Sequence, residues 1–132
     1  MDTMIGKVGR ILFAIPILIF SLFHFMGASD MAGMVPLPGG VFWVYLTGVA
    51  LLGAAISILI QNRVKLVAML LGIMLVIFAL SIHLPGVIGA ENDMSMQISM
   101  GNLLKDLAMA GAAFFISGVY SLKEESSSRD DD

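Results

Sequence analysis

The amino-acid sequence predicts an all-α integral membrane protein, a bundle of four membrane-spanning helices. The mean hydropathy of the 132 residues is +0.96, and only 13% of them are charged. Four apolar runs are each long enough to cross a bilayer, which needs about 20 helical residues. Because backbone amides in lipid must be bonded within their own segment, these runs are expected to be helices. The predicted spans are Val8–Met26, Val41–Ile60, Val64–Leu84 and Leu103–Leu122.

The positions of the basic residues predict the orientation of the chain. Six of them flank the spans on one side: Lys7, Arg10, Arg63, Lys65, Lys123 and Arg129. Lys105 is the one basic residue expected on the other side. Basic residues accumulate on the cytoplasmic side, so both termini are predicted to be cytoplasmic and the connections 27–40 and 85–102 to lie outside the inner membrane. Residues 1–122 then form one domain, and the acidic tail 123–132 is expected to be solvated and without order.

The first span could also be interpreted as a signal peptide, since it follows two basic residues and precedes small ones. Its apolar run is long for a signal peptide and ends in His24. We therefore expect it to be a retained span.

A shift of 58 residues aligns the second half of the chain with the first. The triplet Gly53-Ala54-Ala55 then falls on Gly111-Ala112-Ala113. Such a repeat predicts two helical hairpins inserted in the same sense. Small residues let membrane helices approach closely, so helices 2 and 4 are expected to form the packed centre. The predicted packing positions are Gly48, Gly53, Ala54, Gly111 and Ala112.

A few polar residues fall at the outer ends of the predicted spans. His24 ends the first span and His83 the third, while the others enter the second and fourth spans at a similar level. Because ionisable groups at membrane depth usually face a cavity or one another, they predict a shared ligand pocket. The alternative is that they reach the lipid headgroups or bond helix to helix. The candidate residues are His24, His83, Lys105, Asp106, Tyr45 and Asn102.

Several stretches of the chain resemble the DoxX family of small four-helix bacterial membrane proteins. They are GKVGRILF, VYLTGVALLGAAISIL, QNRVKLVAMLL, SIHLPG and NLLKDLAMAGAAFF, and they extend from Lys7 to Tyr120. By this resemblance His83 and Lys105 match recurring polar residues of the family. The chain departs from it in lacking a glutamate near Ala50 and in carrying Phe23-His24-Phe25 where a glycine is usual. The family includes a thiosulfate:quinone oxidoreductase component and members of oxidative-stress complexes, which implies a redox setting.

The first predicted function is that of a non-catalytic accessory or scaffold subunit in a larger, redox-linked membrane complex. Its expected partners are lipid and other membrane proteins or further copies of the chain, and no nucleic-acid motif is present. The alternative is a quinone-binding oxidoreductase component, in which histidines supply hydrogen bonds and exchange protons. A further alternative is haem or copper binding through His24 and His83, with methionine thioethers as additional copper ligands. The absence of cysteine excludes thiolate chemistry by this chain, and neither a catalytic residue nor a defined metal site is predicted.

Overall fold

The protein is all-helical in the part of the chain, residues 3–130, that the computed structural model describes. Its elements are α1 (Met4–Met26), α2 (Ala28–Met31), a 3₁₀ turn (Ala32–Met34), α3 (Gly40–Ile60), α4 (Val64–Phe78), a π-helical segment (Ala79–His83), α5 (Leu84–Ile88) and α6 (Asp93–Asp130). Four stretches are long and apolar enough to cross a membrane: Met4–Met26, Gly40–Ile60, Val64–Ile88 and Asp93–Asp130. The predicted all-α fold with four spans is confirmed, and the chain is a multi-pass membrane protein.

Large apolar side chains cover the outside of the bundle. Ile5 is 86% exposed and Phe115 is 71% exposed. A surface of this kind marks contact with an apolar environment rather than with water. The interior is built from smaller residues such as Ala14, Ala55 and Ala113, which are completely buried. Small interior residues allow close helix packing, which drives association where lipid removes the hydrophobic effect.

The helices pack as two antiparallel pairs, α1 with α3 and α4 with α6. The prediction that helices 2 and 4, which are α3 and α6 in the structure, form the packed centre is therefore wrong. The α3 helix packs mainly on α1, and α6 packs mainly on α4. A cavity of about 340 Å³ lies between α3 and α4, with Gly53 and Leu70 in its lining. The tight contacts lie within each pair and the looser ones lie between pairs. The sequence repeat and the membrane orientation stay predictions.

The predicted packing glycines are only partly used inside the chain. A Cβ on Gly48 would stand 3.1 Å from the ring of Phe25, and Ala54 belongs to the core. A Cβ on Gly53 or on Gly111 would meet no other group within 4 Å, and Ala112 is half-buried. The packing role of Gly53 and Gly111 is thus corrected, because no neighbouring helix fills the space beside either glycine.

A glycine that the sequence pattern did not single out lies in a close contact between α4 and α6. A Cβ at Gly72 would stand 2.7 Å from the ring of Phe114. The ring occupies the space that the missing side chain leaves, so this glycine sets the distance between the two helices.

Arg10 joins α1 to the end of α3 at the tail end of the bundle, which we define by the turn 61–63 and residues 3–6 and 123–130. Its guanidinium Nη1 donates to the carbonyl oxygens of Ile58 (3.1 Å) and Leu59, and the residue is only 8% exposed. The last carbonyls of a helix lack donors within it. Here the Asn62 amide donates to the Ser57 carbonyl rather than to that of Ile58. The Ile58 carbonyl therefore accepts from Arg10.

The described part of the acidic tail continues the last helix, contrary to the expectation that it lacks order. Residues 123–130 belong to α6, and the Lys65 ammonium lies 3.0 Å from a carboxylate oxygen of Glu124. Extending an existing helix avoids the unfavourable nucleation step. A polar sequence can therefore stay helical here without burying apolar area.

The third span ends at Ile88 rather than at the predicted Leu84. The helix passes Pro85 because the π-helical segment Ala79–His83 precedes it. Proline removes a backbone donor and clashes with the carbonyl four residues before it. A π-helical turn is a local rearrangement of the helix ladder and is frequent at functional sites. It places His83 beside α6.

Candidate ligand cavity

A cavity lies between the two helix pairs at the His end, which we define by the connections 27–39 and 89–92. Its volume is about 510 Å³, within the range of small-molecule sites. The lining residues come from both helix pairs and from the first connection: Ile17, Phe20, His24, Met31, Met34, Val35, Pro36, Leu37, Trp43, Val44, Leu51, Met74, Leu75, Ile77, Phe78, Ser81, Ile82, His83, Asn102, Lys105, Asp106 and Met109.

The connection 27–39 forms one wall of the cavity. After α2 and the 3₁₀ turn, the chain folds back so closely that a Cβ on Gly40 would stand 2.5 Å from the carbonyl oxygen of Ala32. The Trp43 indole N–H donates to the carbonyl of Pro38 at 3.0 Å. These two contacts hold the apolar residues 34–37 against the mouth of the bundle.

His24 reaches the cavity from α1. Its Nδ1 lies 2.7 Å from the carbonyl oxygen of Phe20. Because a carbonyl oxygen can only accept a hydrogen bond, Nδ1 is the donor in this contact. The Ser21 hydroxyl donates to the Gly48 carbonyl at 3.0 Å, and this buried bond fixes the rotation of α1 against α3. The pairing of these helices therefore holds the ring in place.

His83 and Asp106 meet across the interface of the π-helical segment and α6. The His83 Nε2 lies 3.2 Å from Oδ2 of Asp106. The contact does not have the angles of a hydrogen bond, and the buried Oδ2 has no hydrogen-bond partner among the described residues. Asp106 is 8% exposed. A buried acceptor without a donor is costly, and this cost falls on the contact between α6 and the π-helical segment.

Five of the six predicted ligand residues line this cavity: His24, His83, Asn102, Lys105 and Asp106. Tyr45 does not. Its ring stacks on Phe25 with a centroid distance of 6.2 Å, and it is 45% exposed. Successive side chains of a helix point about 100° apart around its axis. Tyr45 therefore points away from the cavity that Trp43 and Val44 line.

Sequence reasoning missed that Val35, Pro36 and Leu37 of the first connection line the cavity. Met31 and Met34, which the copper alternative includes, line it together with Met74 and Met109. Other methionines that the copper alternative could use, Met94, Met96 and Met100, are exposed and lie outside it. The prolines and glycines of the connection indicate a non-helical segment, but nothing in their order shows which way it turns.

Metal binding stays a prediction. Among residues 3–130, no group of three or more histidine, cysteine, aspartate or glutamate residues could hold a metal ion. Both histidines line the same cavity with thioethers nearby, which is compatible with copper(I) as a soft ion.

Comparison with known proteins adds no assignment, so the resemblance to the DoxX family stays a prediction. This chain matches no protein-family model, no curated protein and no solved structure.

Proposed function

We propose that this protein binds a quinone-type headgroup in the cavity at the His end. One observation supports the proposal most: His24 and His83, which belong to different helix pairs, line the same cavity of about 510 Å³. Small-molecule sites combine a mostly apolar lining with a few placed polar groups. This cavity has apolar walls and its polar residues at one end, which suits a flat ring with an oxygen on each side.

We further propose that the His end faces the outer leaflet of a bacterial inner membrane, with both termini cytoplasmic. The distribution of Lys and Arg supports this orientation. A ligand with an apolar tail would then enter from the lipid, and Asn102 and Lys105 would connect its headgroup to water. Lys105 is exposed while it lines the cavity, so it is suited to this position.

Removal of either imidazole is expected to weaken ligand binding. In the full-length protein in nanodiscs, His24→Ala and His83→Ala should each lower the affinity for a decyl-tailed benzoquinone or its quinol by about tenfold. This is the effect of losing one hydrogen bond of about 1.4 kcal/mol. The measurement is ligand-induced thermal stabilisation followed by titration.

Tyr45→Phe is the matched control, because it removes a hydroxyl from the same end of the bundle but outside the cavity. It should leave binding unchanged. Absence of binding by both redox forms would refute the proposal. Copper bound at one ion per chain in the purified protein would favour the metal alternative instead.

An accessory-subunit role is the second proposal and is compatible with ligand binding. A chain whose surface is covered with large apolar side chains can associate with other membrane proteins. We expect it to co-purify with a larger complex in mild detergent, and His83→Ala to leave that association unchanged. Migration as a free small protein under the same conditions would argue against this role.

A further inference from the structure

We propose that the cavity of about 340 Å³ between α3 and α4, which we call the α3–α4 groove, holds the alkyl tail of the ligand whose headgroup lies at the His end. The ligand is then a lipid-soluble quinone with a long alkyl or prenyl tail, rather than a free ring. This inference rests on the proposed function and specifies the ligand of the same site.

The α3–α4 groove begins where the headgroup cavity ends. On α4, Met74 is the cavity-lining residue nearest to the tail end of the bundle, and it also lines the groove. On α3, the cavity lining reaches Leu51, and the groove lining extends from Val49 to Ser57. The distance along the helix axis from Val49 to Ser57 is about 12 Å at 1.5 Å per residue. The groove therefore continues the cavity along both helices toward the tail end of the bundle.

The shape of the groove suits an alkyl tail that enters from lipid. Ala54 and Leu71 are buried and form its floor, whereas Val49 and Leu70 at its edges are 58% and 54% exposed. Between them, a Cβ on Gly53 would meet no other group within 4 Å. The groove is thus open on its side, and a tail can enter it without passing through the packed core of either helix pair.

Met74 forms the junction between the headgroup cavity and the groove, and it is half-buried. Methionine is unbranched and has three rotatable bonds, so it adapts to spaces of irregular shape. Its side chain can contact a ring on the cavity side and an alkyl tail on the groove side. One ligand can therefore occupy both spaces.

The attachment of the tail to a bound headgroup explains why this tail occupies the groove in preference to an ordinary lipid chain. Lipid is as apolar as the groove lining, so a free acyl chain has no hydrophobic driving force to leave the bilayer for the groove. A tail that is linked to a bound headgroup is held at the entrance of the groove. Such linkage raises its effective concentration there without any new contact.

The first experiment fills the groove by Gly53→Leu in the full-length protein in nanodiscs. The open space beside Gly53 provides room for the new side chain within the groove. We expect the affinity for a decyl-tailed benzoquinone, divided by the affinity for the same ring without a tail, to fall by about tenfold. Partition of the tailed compound into the bilayer is common to all variants, so it cancels when this ratio is compared between them.

Gly111→Leu is the matched control. Gly111 also belongs to a GAA triplet and also has open space where a Cβ would stand, but it lines neither the cavity nor the groove. The substitution adds the same side chain to the apolar surface of the bundle. It should leave the ratio of the two affinities unchanged.

The second experiment locates the tail in the unchanged protein. A decyl-tailed benzoquinone with a diazirine at the end of its tail should, on illumination, label the part of the groove nearest to the tail end of the bundle, around Ser57 and Val67. An excess of the decyl-tailed compound without the diazirine should prevent this labelling. Labelling that is spread over the apolar surface and is not prevented by this excess would contradict the proposal.

The outcomes separate this inference from the proposed function. If neither the tailed nor the tailless ring binds in either redox form, the proposed function is overturned. If the rings bind but Gly53→Leu and Gly111→Leu have the same ratio of affinities, this inference alone is overturned. Loss of a dimer in Gly53→Leu with an unchanged ratio would assign the groove to a second copy of the chain instead. If Gly53→Leu does not fold, the labelling of the unchanged protein still decides.

Discussion

Replacing Arg10 by alanine is expected to destabilise the bundle by about 1.5–3 kcal/mol, the range for hydrogen bonds made by a charged group. The guanidinium donates hydrogen bonds to the carbonyls of Ile58 and Leu59 at the end of α3. Alanine leaves both oxygens unpaired and removes the link between α1 and α3 at the tail end. A positive charge near a helix C-terminus is also favourable in itself. The free energy of unfolding, measured by SDS titration in mixed micelles, should show the loss.

Lys7→Ala is the matched control, because it removes the same charge from the same helix at an exposed position. It should change the free energy of unfolding by no more than about 0.5 kcal/mol. Equal effects of the two substitutions would mean that net charge, rather than the bonds to α3, accounts for the stabilisation.

The spans could be predicted from the sequence because hydropathy is a sum over neighbouring residues. The predicted Val41–Ile60 and the observed Gly40–Ile60 differ by one residue. The ends of the other helices depend on contacts that hydropathy does not contain. The Thr3 hydroxyl accepts from the Gly6 amide and begins α1 earlier, and the π-helical segment carries the third span past Pro85.

The candidate site could be predicted in part for a related reason. An ionisable residue at the end of an apolar run is conspicuous, which is why His24, His83 and Asp106 could be grouped by depth alone. Their rotation around the helix axis was not predictable to the same degree, as Tyr45 shows. The contribution of the first connection depends on the approach of Ala32 to Gly40, which is a tertiary contact without a local pattern. The unpartnered oxygen of Asp106 is likewise visible only once its neighbours are placed.

Gly72→Ala is expected to destabilise the protein by about 1–3 kcal/mol, the usual cost of overpacking a close contact. The new methyl group would stand 2.7 Å from the ring of Phe114, so α4 and α6 must separate or the ring must leave its position. SDS titration should show the loss, and Phe114→Leu in the Gly72→Ala background should restore part of it.

Gly53→Ala and Gly111→Ala are the matched controls for the Gly72→Ala prediction. Both glycines have open space where a Cβ would stand, and alanine is favoured over glycine in helices by up to about 1 kcal/mol. These two substitutions should therefore be neutral or stabilising, although their GAA triplets are the more conspicuous pattern. A small residue matters for helix packing only where a neighbour uses the space it leaves. A loss at Gly53 or Gly111 as large as that at Gly72 would show that these positions pack against something outside the single chain.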